Sequence, residues 1–216
     1  MKYMYGIHKS APVSDSQIIR DAQKLRIPAN RLYELDSLQL LRIYRLQQLG
    51  YSNAAKQLHQ PLQVMYFDEE GRLLSQHLNC HAVSFPDLRW NRHHSFLQFP
   101  PPGNSSADRI LTLPLLQQML RPLFCADTGH SKGSRYHVVL FWNKFMGRQS
   151  KRLVRLVQRN AAFHADNKIA IYYVNNDNYH SLKGLLQLQP EMLSSIDSVI
   201  LQSSSIQGTD PAVILR

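Results

Sequence analysis

Acidic residues are scarce in this chain. Fifteen Asp and Glu stand against 25 Lys and Arg among 216 residues, a formal net charge of +10. Such an imbalance favours anionic partners, whether nucleic acid, acidic protein or a negative membrane face, and names neither a fold nor a reaction. Cysteine is scarcer still: two residues exclude a disulfide-dense scaffold and a four-cysteine zinc module. No run approaches the roughly 18 apolar residues of a membrane span. The first residues, Met1 to Lys9, lack a long apolar stretch and a small-residue cleavage site, so they do not read as a signal peptide. The chain as written reads as cytoplasmic, with the periplasm or envelope as the alternative if an upstream leader has been removed. Gly-x-Ser-x-Gly, a phosphate-cradling glycine loop and Gly-x-Gly-x-x-Gly after a strand are all missing, which argues against the common enzyme classes. What is present is core material: 44% hydrophobic against 19% charged residues excludes wholesale disorder.

Prolines and small polar residues mark the breaks. Phe99-Pro-Pro-Pro-Gly-Asn-Ser-Ser-Ala-Asp108 withholds ladder donors and then turns flexible, and Asp127 to Ser134 is a second loop. Between them, Leu116, Met119, Leu120 and Leu123 recur at helical spacing, predicting a connecting helix over 113–123. In the second half, His137 to Trp142 is a continuous apolar run of the kind buried on both faces of a sheet. Ser150 stands as a candidate N-cap for an amphipathic helix over 151–162. Its apolar side holds Leu153, Val154, Leu156, Val157 and Ala161, and its outer side presents Arg148, Arg152, Arg155 and Arg159. Lys168 to Val174 is the next strand, giving a parallel βαβ unit. A helix from about Tyr179 to Ile196 and a proline-led strand over 208–216 complete this half.

The first half repeats the order. Lys2 to His8 reads as a strand, and Ser14 to Ser16 caps a helix carrying Ile18, Ile19, Ala22 and Leu25. Arg31 to Asp36 is a short strand, and a long helix spans about 37–58. Pro61 to Phe67 and Arg72 to Leu78 form a hairpin around Gly71. Strand, helix, strand, helix, proline-led strand thus occurs twice. The expected fold class is α/β, with modules over 1–82 and 134–216 and a loop-and-helix connector over 83–133. The modules are either separate or merged into one pseudo-symmetric domain.

That order resembles the thioredoxin fold, in which a βαβ unit is joined by a helix to a hairpin whose first strand follows a cis-proline. A closer resemblance lies in Phe141-Trp142-Asn-Lys-Phe145-Met146-Gly147-Arg148-Gln149. It is similar to the Phe-Trp-x-x-Trp-Cys-x-x-Cys stretch of bacterial envelope thiol-disulfide oxidoreductases and redoxins. Met146 and Gln149 stand where the two cysteines belong, and Phe145 replaces the second aromatic. Pro211 matches the cis-proline position of this module and Pro61 that of the first. As a whole the chain also resembles uncharacterised thioredoxin-like proteins of the Bacteroidetes type. The resemblance implies a dithiol reaction that these residues cannot perform. Exchange needs a thiolate at the helix N-terminus and a resolving thiol, whereas a thioether does not ionise and an amide is no nucleophile.

Cys80 and Cys125 remain as candidate thiols, either a relocated redox pair or two buried small hydrophobes. His77-x-x-Cys80-His81 could offer metal ligands, but its count and spacing match no zinc pattern, so neither metal nor cofactor is expected. Asp36 and Asp177 end equivalent strands, where loop capping fits better than acid–base chemistry. The segment 85–99 is basic and aromatic, with Arg89, Trp90, Arg92, His93 and His94. Together with the arginine face of the 151–162 helix it is the best anion-contacting surface; the same aromatics (Trp90, Phe96, Phe99) also suit core packing. The expected function is a non-catalytic thioredoxin-like module that binds a protein or peptide in a groove lined by Trp142, Phe145, Met146, Arg148 and the Asp210-Pro211 segment. The competing readings are an oxidoreductase using Cys80 and Cys125, and a basic binder of nucleic acid or anionic surfaces.

Overall fold

Six strands hydrogen-bond side by side in one mixed sheet. The computed structural model describes residues 8–36, 43, 56–78, 90–103, 111–124 and 133–188. The strands are β1 (Leu32–Leu35), β2 (Gln63–Asp68), β3 (Leu73–Leu78), β4 (Leu120–Pro122), β5 (Tyr136–Trp142) and β6 (Ile169–Asn175), in the order β3-β2-β5-β6-β1-β4. β5, β6 and β1 run parallel, with Val138 opposite Ile171 and Leu32 opposite Tyr173. β2 lies antiparallel to β5, β3 to β2, and β4 to β1. The helices are α1 (Asp15–Lys24), α2 (Leu113–Gln117), α3 (Gly147–Phe163) and α4 (Asp177–Leu188).

β2 from the first stretch pairs with β5 from the second, and β1 pairs with β6, so two ladders cross the expected boundaries. The expected opening and closing strands, 2–8 and 208–216, fall largely or wholly outside the described residues, as do Cys80, Cys125 and Pro211. Of the helix expected over 37–58, Ile43 and residues 56–58 are described, and both are helical.

The strand pattern explains the layering, because successive side chains of a strand face opposite ways. Val138, Leu140 and Trp142 point to one face with Val64, Tyr66, Ile171 and Tyr173, covered by α1, α3, Trp90 and Phe96. Val139 and Phe141 point to the other with Met65, Phe67, Tyr172 and Val174, covered by Ile43, Leu58, Leu116, Met119 and Tyr179. A strand sandwiched this way must be apolar throughout, which is why 137–142 reads as a continuous run.

Two expected elements differ. The connecting helix stops at Gln117 rather than running to 123. Thr112 caps its start by accepting the Leu115 N–H, and Leu120–Pro122 then pair with β1 as an edge strand, where a proline is tolerated. Ser150 is not the N-cap of α3. The helix starts earlier, after Met146, and the Ser150 hydroxyl turns back to accept the Asn143 N–H at 2.9 Å and donate to the Asn143 carbonyl at 2.6 Å.

Candidate functional site

The C-terminal ends of β5, β6 and β1 lie together, the edge at which open parallel sheets present their loops to ligands. The loop leaving β5 is Asn143 to Met146, and Gly147 opens α3. Its fold is dictated by carboxamides. Asn143 donates from Nδ2 to the Pro61 carbonyl at 2.8 Å and to Asn176 Oδ1 at 3.0 Å, while its Oδ1 accepts the Met146 N–H at 2.9 Å. Asn176 donates to the same Pro61 carbonyl at 3.1 Å. Pro61, just ahead of β2, is therefore clamped against the loop that leaves β5.

Asp177 completes the network. Its carboxylate accepts the N–H groups of Lys144 (2.8 and 3.0 Å) and Phe145 (3.3 Å) and the Asn175 amide at 2.9 Å. Burial pushes this carboxyl above its usual range, and those donors hold it down in part. The loop-capping role read from the sequence is the one Asp177 plays. Asn178 continues the chain of contacts, donating to the Val13 carbonyl and to Glu34 Oε1. Arg121 then joins Glu34 to Asp15 of α1, with bonds of 2.8 and 2.9 Å to the Asp15 carboxylate.

The residues where a dithiol would stand are inert and enclosed. Trp142, Met146 and Gln149 are buried, Phe145 is half-buried, and Lys144 and Arg148 are exposed. Trp142 Nε1 and Gln149 Oε1 are buried with no hydrogen-bond partner among the described residues. The expected groove lining is thus corrected: Trp142 and Met146 face the core formed with Leu153 and Val154, because the loop tucks inward under its asparagine bonds. Residues 8–13 cross over the loop, with the His8 N–H donating to the Phe145 carbonyl at 2.8 Å and the Ser10 hydroxyl reaching the Asp177 carbonyl. Among the described residues the cis peptide bond is Phe99–Pro100, so Gln60–Pro61 is trans, contrary to expectation.

Beside this loop lies a histidine pair that sequence reasoning missed. Tyr179 and His59 meet through the phenol oxygen and Nδ1 at 2.6 Å, and His180 packs edge-on against Phe145 with ring centres 5.3 Å apart. Burial pulls His59 down to about 4 and His180 to about 3, with nearby Lys183 adding to both. Their sequence separation left no signal by which to pair them. The asparagines did leave one, since Asn175-Asn-Asp-Asn178 follows a strand directly.

The arginine face of α3 is where the sequence placed it. Arg152, Arg155 and Arg159 are exposed, and with Trp90, Asn91 and Leu156 they line a pocket of about 310 Å³. Trp90 and Phe96 are at the same time core residues, so both readings of that segment hold in part. His77, the first residue of the would-be metal motif, is buried with its ring 4.8 Å from that of Phe96. No helix among the described residues is long and apolar enough to cross a membrane. No family model matches the chain, and no curated protein and no solved structure matches it.

Proposed function

We propose that this is a non-catalytic thioredoxin-like protein whose degenerate loop, residues 143–148, binds an extended protein or peptide segment. Support for the thioredoxin-like reading comes from the parts and their contact. β5, α3 and β6 make the βαβ unit, β2 and β3 make the adjoining antiparallel hairpin, and a proline precedes the hairpin and faces the loop. The parts come in a different chain order from that of the family, with the hairpin ahead of the βαβ unit.

One observation carries the binding role. The Phe145 carbonyl accepts a backbone N–H from His8, so this loop takes a passing chain through its main chain while offering no nucleophile. Phe145 and Arg148 are the side chains placed to read such a segment. A displayed peptide library panned on the full chain tests this. Selected peptides should lose most of their affinity for Phe145→Glu and Arg148→Glu variants, and undiminished binding to both would sink the reading. Met146 is not the residue to change, because an acid placed there would enter the core.

A further inference from the structure

We propose that the pocket between α3 and Trp90 is a binding site for a phosphorylated nucleotide unit, independent of the loop at 143–148. Arg152, Arg155 and Arg159 recur at steps of three and four, so their guanidiniums line one side of the helix along about 10 Å. Among the described residues none of the three meets a carboxylate, although Asp21, Asp68, Glu70, Asp15 and Glu34 are all engaged elsewhere. Three cations with no carboxylate partner among the described residues thus line one cavity of about 310 Å³, at the lower end of small-ligand pockets.

The opposite wall is rigid. Asn160 on α3 donates to the carbonyls of Phe96 and Gln98, at 2.7 and 2.9 Å, and a ring nitrogen of His164 lies 3.0 Å from the Leu97 carbonyl. Asn91 Oδ1 accepts the Phe96 N–H at 3.0 Å and so closes the same turn. These bonds bolt the 3₁₀ turn over 92–97 to α3 and hold Trp90 beside the arginines. The lining is therefore three planar forks, one amide, and the exposed edge of an otherwise buried indole beside half-buried Leu156.

That combination selects among anions. Guanidinium forks suit phosphate and carboxylate alike, but an acidic peptide would leave the indole and leucine wall unused. A nucleotide uses both, placing its phosphate on the forks and its flat base along the apolar wall. The unit could be free or part of a single strand, and the test separates the two.

The full chain is titrated with a labelled oligothymidylate of about 12 nucleotides, with adenosine monophosphate, with inorganic phosphate and with polyglutamate. Oligonucleotide binding should weaken with salt, with a log–log slope of about −2 for three contacts on a single strand. The Arg152→Gln, Arg155→Gln, Arg159→Gln variant should bind at least about tenfold more weakly and lose most of that slope. These side chains are exposed, so the variant should keep its thermal midpoint. Saturable binding of the monophosphate, lost in the variant, assigns a free nucleotide. Binding of the oligonucleotide alone, lost in the variant, assigns a strand. Polyglutamate or inorganic phosphate binding as tightly as the nucleotide probes, no binding of either nucleotide probe, or an unchanged variant would each overturn the proposal.

Discussion

Acid should unfold this protein well above the carboxylate range, because buried His77 and half-buried His59 and His180 resist protonation. Burial lowers His59 and His77 to about 4 and His180 to about 3; the Pro101 carbonyl partly opposes this at His77. An unfolded chain titrates all three near 6.5. For a histidine whose folded pKa is depressed, the unfolded state binds the proton first, so stability is intact above about pH 6.5 and falls as pH drops toward the folded value. At pH 5 the unfolded chain holds close to three more protons than the folded one at these sites. Each proton is worth about 1.4 kcal/mol per pH unit, and solvent screening at the partly open His59 trims the sum to about 3 kcal/mol per unit. Lowering the pH from 6 to 5 should then depress the thermal midpoint by roughly 6–12 °C for a chain of this size. Asp177 works in the opposite sense, since a raised carboxyl gives stability at low pH that is lost as pH rises through its folded value. Asp15 and Asp68, both lowered by arginine partners, give stability that is full above about pH 4 and is lost only as pH falls below it. Circular dichroism melts between pH 7 and 4.5 provide the test. A midpoint flat to within a degree or two from pH 6.5 to 5 would refute the argument. The His77→Gln, His180→Gln variant should keep about a third of the wild-type slope.

Asn143→Ala removes the acceptor of the Met146 N–H and the donor to Asn176, while the Pro61 carbonyl keeps its bond from Asn176; a loss of about 2–3 kcal/mol in urea unfolding is expected. A loss below about 0.5 kcal/mol would show that the asparagine network does not hold the loop. Gly71→Ala should cost about 1–3 kcal/mol, because Gly71 sits at φ +78° and an added Cβ would lie 3.1 Å from Pro114 Cδ and 3.2 Å from Leu113 Cβ. The same urea curves read this, and an unchanged midpoint would mean that the β2–β3 turn can change shape. Arg121→Ala leaves Glu34, only 4% exposed, with Asn178 as its remaining partner and frees Asp15 from β4; about 2 kcal/mol should be lost. Restoration by adding Glu34→Gln to that variant would show that the penalty is the stranded charge.

Five of the six strands were legible because their side chains bury in the core, and a run such as 137–142 has no other use. α1 was legible for the same kind of local reason, with Ser14 accepting the Gln17 N–H and with Ile18 and Ala22 buried. What the sequence hid is what depends on distant partners. Pro61 reads as the entry to its own module until the structure sets its carbonyl between Asn143 and Asn176, and no local pattern encodes that contact. Leu120 to Pro122 have helical spacing, yet they become a strand because β1 leaves an edge open and Glu34 offers Arg121 a partner. Ser150 has the right chemistry for a cap but sits one turn too late, since the start of α3 is fixed by Asn143. The arginine stripe was read correctly as an outer face. The Trp90 segment was read with it as an anion-contacting surface, but not the pocket between them, whose walls are set by residues some 60 positions apart in the chain.

The order in which the ribosome delivers these strands imposes a wait. β1 and the β2–β3 hairpin are complete by Leu78, but their central partners, β5 and β6, end at Trp142 and Asn175. Until then Met65, Tyr66 and Phe67 have no second sheet neighbour, and Leu32 lacks Tyr173. At about 5–20 residues per second, the nearly 100 residues between Leu78 and Asn175 take roughly 5–20 s to synthesise. Until Trp142 completes β5 the nascent chain carries an apolar hairpin without its neighbour, and until Asn175 completes β6 it carries β1 without one. Truncation anywhere before β6 would yield a sticky fragment rather than a smaller folded protein.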